Sequence, residues 1–402
     1  MKRLLSIILT LVLLFTFVTG CDKDDTDNSS SKTSKPTTSS SETDSSEDNT
    51  SSEEEVEEEF ETPSKPNTGG IVDTDTSNTS NNSSQPATND SERPLRERMQ
   101  GGINFPGFSH SDPNSFVFDR NYYDLLVQSG FDNLRLPVGA HNYIVGEAPD
   151  YLLDTSIMRM LDIALNHGLE AGLVVVLDFH NNSLFQKEPT IFKQIWRQMA
   201  ERYRDYPEEL MFEIVNEPNG ISDDYLNKVQ LETVKIIRES NPTRTIALAV
   251  NAWNQISRLY GTEIPKIVGA NGVSENDPNV ILAVHSYNPM SFTHQGANWG
   301  GNNYPGKKIC TDELLASITK ALETCAEYEK KTGRTVWVNE WGVYLGDVIK
   351  EEVSKYLHHF TSECARLDLS YAFWEFNSGF GAFDNTTQKW KDYVYGSLVT
   401  KW

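Results

Sequence analysis

The chain has 402 residues and a formal net charge of -23, with 38% hydrophobic and 10% aromatic residues. So acidic a chain argues against a nucleic-acid partner, whose phosphates call for a basic surface. Its length exceeds that of a small module and leaves room for one large domain.

In chain order, Lys2 and Arg3 precede an apolar run from Leu4 to Val18. This reads as a secretory signal, too short and wrongly flanked for a stable membrane span. The ending Val18-Thr19-Gly20-Cys21 resembles a bacterial lipobox. On that resemblance residues 1–20 are removed, Cys21 receives a diacylglyceryl group, and the protein is held at the bacterial cell surface. Two or more acyl chains make such an anchor stable. The alternative is an ordinary secretory signal that a cysteine happens to follow. Residues 21–93 are rich in Ser, Thr, Asn and acid: Asp22 to Glu92 holds 19 acidic and 4 basic residues. Such a segment cannot bury enough apolar surface to offset its ordering entropy, so it is expected to be a disordered linker. The Glu53–Glu61 run could be read as a calcium or partner site. A solvated, self-repelling spacer fits it better.

Residues 94–402 carry the periodic signals. Strand-like apolar runs fall near Gly102–Phe105, Asn133–Val138, Gly172–Phe179, Met211–Val215, Thr245–Val250, Val280–Val284, Thr335–Val338 and Tyr371–Phe376. Helical segments between them include Thr155–His167, Ile191–Tyr203, Asp223–Glu239, Glu313–Lys331 and Lys350–Leu367, with Asp154 and Thr311 placed as N-caps. The strand runs are continuously apolar, as parallel strands covered on both faces should be. Eight alternations in about 300 residues predict a closed (β/α)8 barrel, an α/β TIM-barrel fold. An open doubly wound sheet is the competitor, but no Gly-x-Gly-x-x-Gly turn follows the first strand. Cys310, Cys325 and Cys364 lack metal spacing, and an odd number cannot all pair internally. Cys310–Cys325 could bridge, or the thiols could be free and buried.

Two of the strand runs stop on a glutamate: Ile214-Val215-Asn216-Glu217-Pro218 and Val336-Trp337-Val338-Asn339-Glu340. Glutamate is almost never fully buried without a partner, and paired carboxylates are the machinery of glycoside hydrolysis. Other polar or aromatic residues gather at the same strand ends: Asn104, Arg135, His180, Asn216, Trp253, His285, Tyr287 and Trp374. In a barrel this C-terminal face holds the active site. Glu213 and Glu375 also lie near strand ends and read as structural or rim residues. No metal cluster or phosphate-cradling glycine motif is evident, so neither metal nor cofactor is expected.

The segments Gly101-Gly102-Ile103-Asn104-Phe105, Leu134-Arg135-Leu136-Pro137-Val138, Leu177-Asp178-Phe179-His180-Asn181, Phe212-Glu213-Ile214-Val215-Asn216-Glu217-Pro218-Asn219-Gly220, His285-Ser286-Tyr287 and Phe373-Trp374-Glu375 resemble glycoside hydrolase family 5. That family contains cellulases and mannanases and belongs to a clan with catalytic glutamates on strands 4 and 7. The stretch from Tyr287 to Ala297 is similar to a loop of bacterial β-glucanase members. The resemblance implies that Glu217 is the general acid/base and Glu340 the nucleophile of a retaining double displacement. Arg135 would pair with Glu340 and keep it ionised, while desolvation and the nearby charge would keep Glu217 protonated. Asn216 would bond the sugar 2-hydroxyl, Tyr287 would donate to Glu340, His180 and His285 would orient hydroxyls or the acid, and Trp374 would offer a face to the sugar. Asn339 departs from the pattern, since many relatives carry a small residue before the nucleophile. Asn181 stands where many carry a second histidine. The expected activity is endo-β-1,4-glucanase on a β-linked polysaccharide, by a monomer. An endo-β-mannanase or dual enzyme is the rival within chemistry, and a surface carbohydrate-binding lipoprotein the rival outside it.

Overall fold

The computed structural model describes residues 95–105, 119–269, 272–299 and 304–399. The signal segment, Cys21 and the linker expected from the sequence lie outside these residues. Eight strands close into a parallel barrel in chain order: β1 (Gly101–Asn104), β2 (Asn133–Val138), β3 (Val174–Phe179), β4 (Leu210–Glu213), β5 (Ile246–Ala249), β6 (Val280–Ser286), β7 (Val336–Trp341) and β8 (Ser370–Phe373). Closure is made by β1 on β8, with Gly101 opposite Tyr371 and Ile103 opposite Phe373. The open-sheet alternative is therefore excluded.

Helices α1 (Arg120–Gln128), α2 (Thr155–Ala171), α3 (Asn182–Lys187), α4 (Pro189–Arg202), α5 (Asp223–Ser240), α6 (Asp312–Thr332) and α7 (Lys350–Arg366) follow strands of the barrel. Their sequences explain their limits. In α2 the Asp154 side chain accepts from the Ser156 N–H, and Gly172 ends the helix at φ +94, a conformation that favours glycine. Ile157, Leu161, Ala164, Leu165 and Gly168 form the buried stripe between. Cutting one of these side chains back, as in Leu161→Ala, costs roughly 2–5 kcal/mol. Thr311 caps α6 in the same way, accepting from Leu314 N–H.

Strict alternation fails after β5. Instead of a long helix, the chain runs through a 3-10 segment (Ile256–Gly261) and a small hairpin pairing Lys266–Val268 with Ser274–Asn276. Gly261, Pro265, Gly269 and Gly272 interrupt any helical period there. Among the described residues after β8, a single turn, Asp392–Tyr395, is helical. The β4 run also ends earlier than its apolar stretch: Ile214 to Asn216 are buried but lie beyond the strand.

Inside the barrel the side chains form layers. Val174 and Val176 of β3, Met211 of β4, Trp337 of β7, Ala372 of β8 and Met99 make a separate apolar plug. One alternation further along the strands the inward residues become Asp178 and Glu213, neighbours in register across β3 and β4. With Arg135 and Asn104, themselves paired in register, and with Asn339, they form a wholly buried polar layer. The apolar plug thus carries a polar floor, and the floor faces the C-terminal mouth.

Candidate active site

Arg135 organises that floor. Its Nε donates to Glu213 Oε2 at 2.6 Å and its Nη2 to Glu213 Oε1 at 2.9 Å. Nη2 also reaches Asn216 Oδ1 at 2.8 Å and Asp178 Oδ2 at 2.9 Å. Nη1 donates to Asn104 Oδ1 at 3.1 Å and to Glu340 Oε1 at 2.5 Å. A planar guanidinium presents five N–H donors in a fixed fork, and here all its edges are used. Because Asn216 gives its oxygen to Arg135, its Nδ2 is turned toward His180 Nε2, 3.5 Å away.

Three carboxyls surround this one cation. Burial pushes Asp178 and Glu213 each up to about 7, against the pull of Arg135. A buried carboxyl disfavours its charged form, and close carboxyls resist ionising together. Glu213 is further held by Asn339 Nδ2, which donates to Oε1 at 2.8 Å. Neither Glu213 nor Glu375 lies on the rim, as the sequence reading allowed: both are fully buried. Alternation along a strand sets Glu213 on the face opposite Ile214, but period two alone does not tell barrel interior from exterior.

The two glutamates that end apolar runs reach the cleft by different routes. Glu340 sits inside β7, where pairing skips a residue: Val284 is opposite Val338, and His285 is opposite Glu340. On the other side Tyr371 is opposite Val338 but Phe373 opposite Trp341. The extra residue is a bulge, which re-aims side chains locally. It lets Asn339 turn into the floor while Glu340, the next residue, faces the cleft. Gly342 follows because a Cβ there would come within 2.3 Å of the Trp374 carbonyl.

Glu217 lies beyond β4 on a loop, with φ +49. A non-glycine residue in this region costs on the order of 1–3 kcal/mol and persists only where its surroundings enforce it. The Glu217 carbonyl accepts from Asn182 Nδ2 at 2.9 Å and Asn219 Nδ2 at 3.0 Å. About a third of the Glu217 side chain is exposed, at 32% against 6% for Glu340. Burial raises the Glu217 pKa above its ordinary value, opposed by His180 and Arg135.

His285 links the pair, with Nδ1 3.0 Å from Glu217 Oε1 and 3.6 Å from Glu340 Oε2. Burial lowers its pKa to about 4, so the ring is neutral near pH 7. Tyr287 donates its hydroxyl to Glu340 Oε2 at 3.3 Å, and burial raises its pKa well above that of a free phenol. One oxygen from each glutamate and the His285 nitrogen all lie within 4.8 Å of one another. That trio is also compatible with metal ligation, but Arg135 and Tyr287 already donate to the two oxygens of Glu340. His180 Nδ1 meets Asp178 Oδ2 at 2.7 Å, and its ring lies parallel to Trp374 with centroids 5.9 Å apart.

The structure therefore brings Glu217, Glu340, Arg135, His180, Asn216, His285, Tyr287 and Trp374 to one end of the barrel, joined by the contacts above. Sequence reasoning assigned no role to Asp178, Asn182 or Asn219. Asp178 stands two residues before His180 on the same strand face, a period-two signal that could have marked it. Asn182 and Asn219 act through a backbone carbonyl in a fold-dependent loop, and nothing local reveals them. Asn339, the departure before Glu340, fills its space with a hydrogen bond to Glu213, and its carbonyl accepts from Asn104 Nδ2 at 3.0 Å.

Residues 95–379 match the family described as Cellulase (glycosyl hydrolase family 5). Endoglucanase H of Acetivibrio thermocellus is 28% identical over 272 residues, 66% of this chain. The match spans only 27% of that protein's length. Endoglucanase A of Ruminococcus albus is 26% identical over 301 residues, 66% of this chain and 78% of that protein. Among solved structures, Cel5A of Thermotoga maritima with mannotriose superposes with a TM-score of 0.69 at 28% identity, covering 76% of this chain and 99% of the other. The same enzyme has been solved with cellobiose.

Proposed function

Because the chain belongs to the cellulase family, glycosyl hydrolase family 5, we propose that it is a retaining endo-β-1,4-glucanase acting through Glu217 and Glu340. The observation that carries this reading is the carboxylate separation. Retaining hydrolysis needs carboxyl groups only about 5–5.5 Å apart, whereas inverting enzymes hold them about 6.5–9.5 Å apart to admit a water. Oxygens of Glu217 and Glu340 within 4.8 Å support the retaining case.

In the first step a Glu340 oxygen attacks the anomeric carbon as the glycosidic C–O bond breaks. Glu217 delivers its proton to the departing sugar oxygen, and a glycosyl ester on Glu340 remains. Glu217, now a carboxylate, takes a proton from water, whose oxygen attacks the anomeric carbon and releases Glu340. Two inversions give net retention. Arg135 and Tyr287 donate to the two oxygens of Glu340 and hold the attacking carboxylate in place. The Asn216 amide, with its oxygen engaged by Arg135, offers an N–H to the sugar 2-hydroxyl. His285 orients Glu217, and the stacked His180 and Trp374 border the sugar beside the scissile bond.

A second substrate follows from one observation: Cel5A of Thermotoga maritima has been solved with both cellobiose and mannotriose. On that likeness mannan is a secondary substrate here. Residues 94–402 form the catalytic domain in this reading, displayed at the bacterial surface through a lipid on Cys21 and the acidic linker 21–93. The decisive experiment is Glu340→Gln, which is expected to abolish release of reducing ends from soluble β-glucan while thermal unfolding stays cooperative. Retained activity sinks the nucleophile assignment. Parallel rates on mixed-linkage glucan, carboxymethyl-cellulose and mannan then rank the substrates.

A further inference from the structure

The loop that carries Glu217 is held in a way its own sequence does not ask for. Glu217 precedes Pro218, and a residue before proline is biased toward extended backbone. Yet its φ is +49. Three successive carbonyls of this loop are taken by donors. Glu217 accepts from Asn182 and Asn219, Pro218 from the Trp253 N–H at 3.0 Å, and Asn219 from Gln186 Nε2 at 2.6 Å. Asn182 and Gln186 are both on α3, the six-residue helix that follows β3.

That helix is itself anchored at both ends. Asn181 caps it, accepting from Leu184 N–H at 2.9 Å while its Nδ2 meets His141 Nε2 at 3.0 Å. At the other end the Tyr225 hydroxyl of α5 donates to the carbonyls of Gln186 at 2.8 Å and Phe185 at 3.2 Å. The path therefore runs from α5 through α3 to the Glu217 carbonyl, through backbone carbonyls and not through the Glu217 carboxyl.

We infer that α3 is a clamp for the acid/base loop, with Asn182 and Gln186 as positioning residues that hold Glu217 where it can protonate the leaving oxygen. The inference rests on Glu217 being the acid/base. Rotating the Glu217 backbone back toward the extended region would swing its Cβ, and with it the carboxyl, away from the scissile bond. A misplacement of about 1 Å can cost on the order of 100-fold in rate. The nucleophile would be unaffected, because Glu340 is held by β7 and Arg135.

This separation makes the clamp testable by leaving group. Attack by Glu340 on 2,4-dinitrophenyl β-cellobioside expels a phenolate that needs no proton, whereas β-glucan needs the Glu217 proton. Asn182→Asp, which keeps the shape but removes the donor, Asn182→Ala, Gln186→Ala and the double variant would be assayed on both substrates in the full-length protein. The expected result is a fall of about 10- to 100-fold in kcat/KM on β-glucan, with less than about threefold change on the aryl cellobioside. Thermal unfolding of each variant would be followed in parallel. Equal losses on both substrates, or no loss on either, would overturn the clamp. Glu217→Ala serves as the reference. If it lacks the leaving-group split, the acid/base assignment fails; if it has the split and the α3 variants do not, only the clamp fails.

Discussion

Arg135 lies side-on to Glu213, with Nε–Oε2 2.6 Å and Nη2–Oε1 2.9 Å, and neither side chain is reached by solvent. This pairing fixes the plane of the guanidinium, and the plane decides what the remaining donors can reach. Nη1 then points at Glu340, and Nη2 takes the oxygen of Asn216. A carboxyl buried in the barrel floor thereby governs two groups of the cleft, Glu340 and Asn216.

Removing Glu213 leaves a buried guanidinium short of charge. Breaking a buried ion pair from one side typically costs about 3–5 kcal/mol. Glu213→Ala is expected to lose stability on this scale in urea or guanidinium unfolding, while Glu213→Gln, which retains one acceptor for Arg135, loses less. A loss below about 1 kcal/mol for the alanine variant would show that the pair contributes little to the fold.

Glu375 offers the clearest pH test of stability. It is fully buried, and burial pushes its carboxyl up to about 7 from 4.5, against hydrogen bonds from Ser378 and the Phe380 N–H. A folded pKa above the unfolded one means the folded state binds more protons across this interval. The contribution is therefore complete below about 4.5 and is lost as pH rises through about 7. At 1.36 kcal/mol for each unit, the loss is on the order of 3 kcal/mol. Glu375→Gln is expected to flatten the decline in unfolding free energy between pH 4.5 and 8. Parallel curves for variant and wild type would refute the assignment.

The activity profile should carry the signature of a raised acid. Burial lifts Glu217 above the ordinary glutamate value, and in the proposed mechanism only its protonated form can deliver a proton in the first step. On β-glucan, kcat/KM is expected to fall as pH rises past that raised pKa, so the alkaline limb lies above 4.5. His285, lowered to about 4, adds no limb near the 6.5 of a free imidazole. An alkaline limb at or below 4.5 would be incompatible with this environment.

Cys310, Cys325 and Cys364 are free and buried, so the bridge left open from spacing is absent. Burial raises all three thiols, Cys310 to about 11 and the other two further. The thiolate is the reactive form, so these thiols are expected to resist Ellman's reagent at pH 8 in the native protein and to react on denaturation. Reductant should leave the melting temperature unchanged. Rapid native labelling at any of the three would contradict the packing of α6 and α7 around them.

The architecture was legible because parallel strands buried on both faces leave unbroken apolar runs. The period of those runs against amphipathic helices such as α2 gives the barrel its count of eight strands. The helix missing after β5 was less legible, since Gly and Pro show only that a helix stops and not what replaces it. Cleft residues of known type could be named because Asn-Glu-Pro and its companion segments survive as short local strings.

What the sequence by itself determined was the fold and the chemical inventory: eight strands, two glutamates at the ends of apolar runs, and one arginine among them. The resemblance gave the two glutamates different roles, and only the tertiary structure shows the different backbones that present them. A bulge in β7 turns Asn339 inward and Glu340 into the cleft. A left-handed backbone held by Asn182 and Asn219 aims Glu217 from a loop. Both devices depend on pairing register and on hydrogen bonds between residues distant in the chain. Local periodicity records which residues are apolar, but it carries no information about a strand's partner or about which carbonyl a distant amide will find.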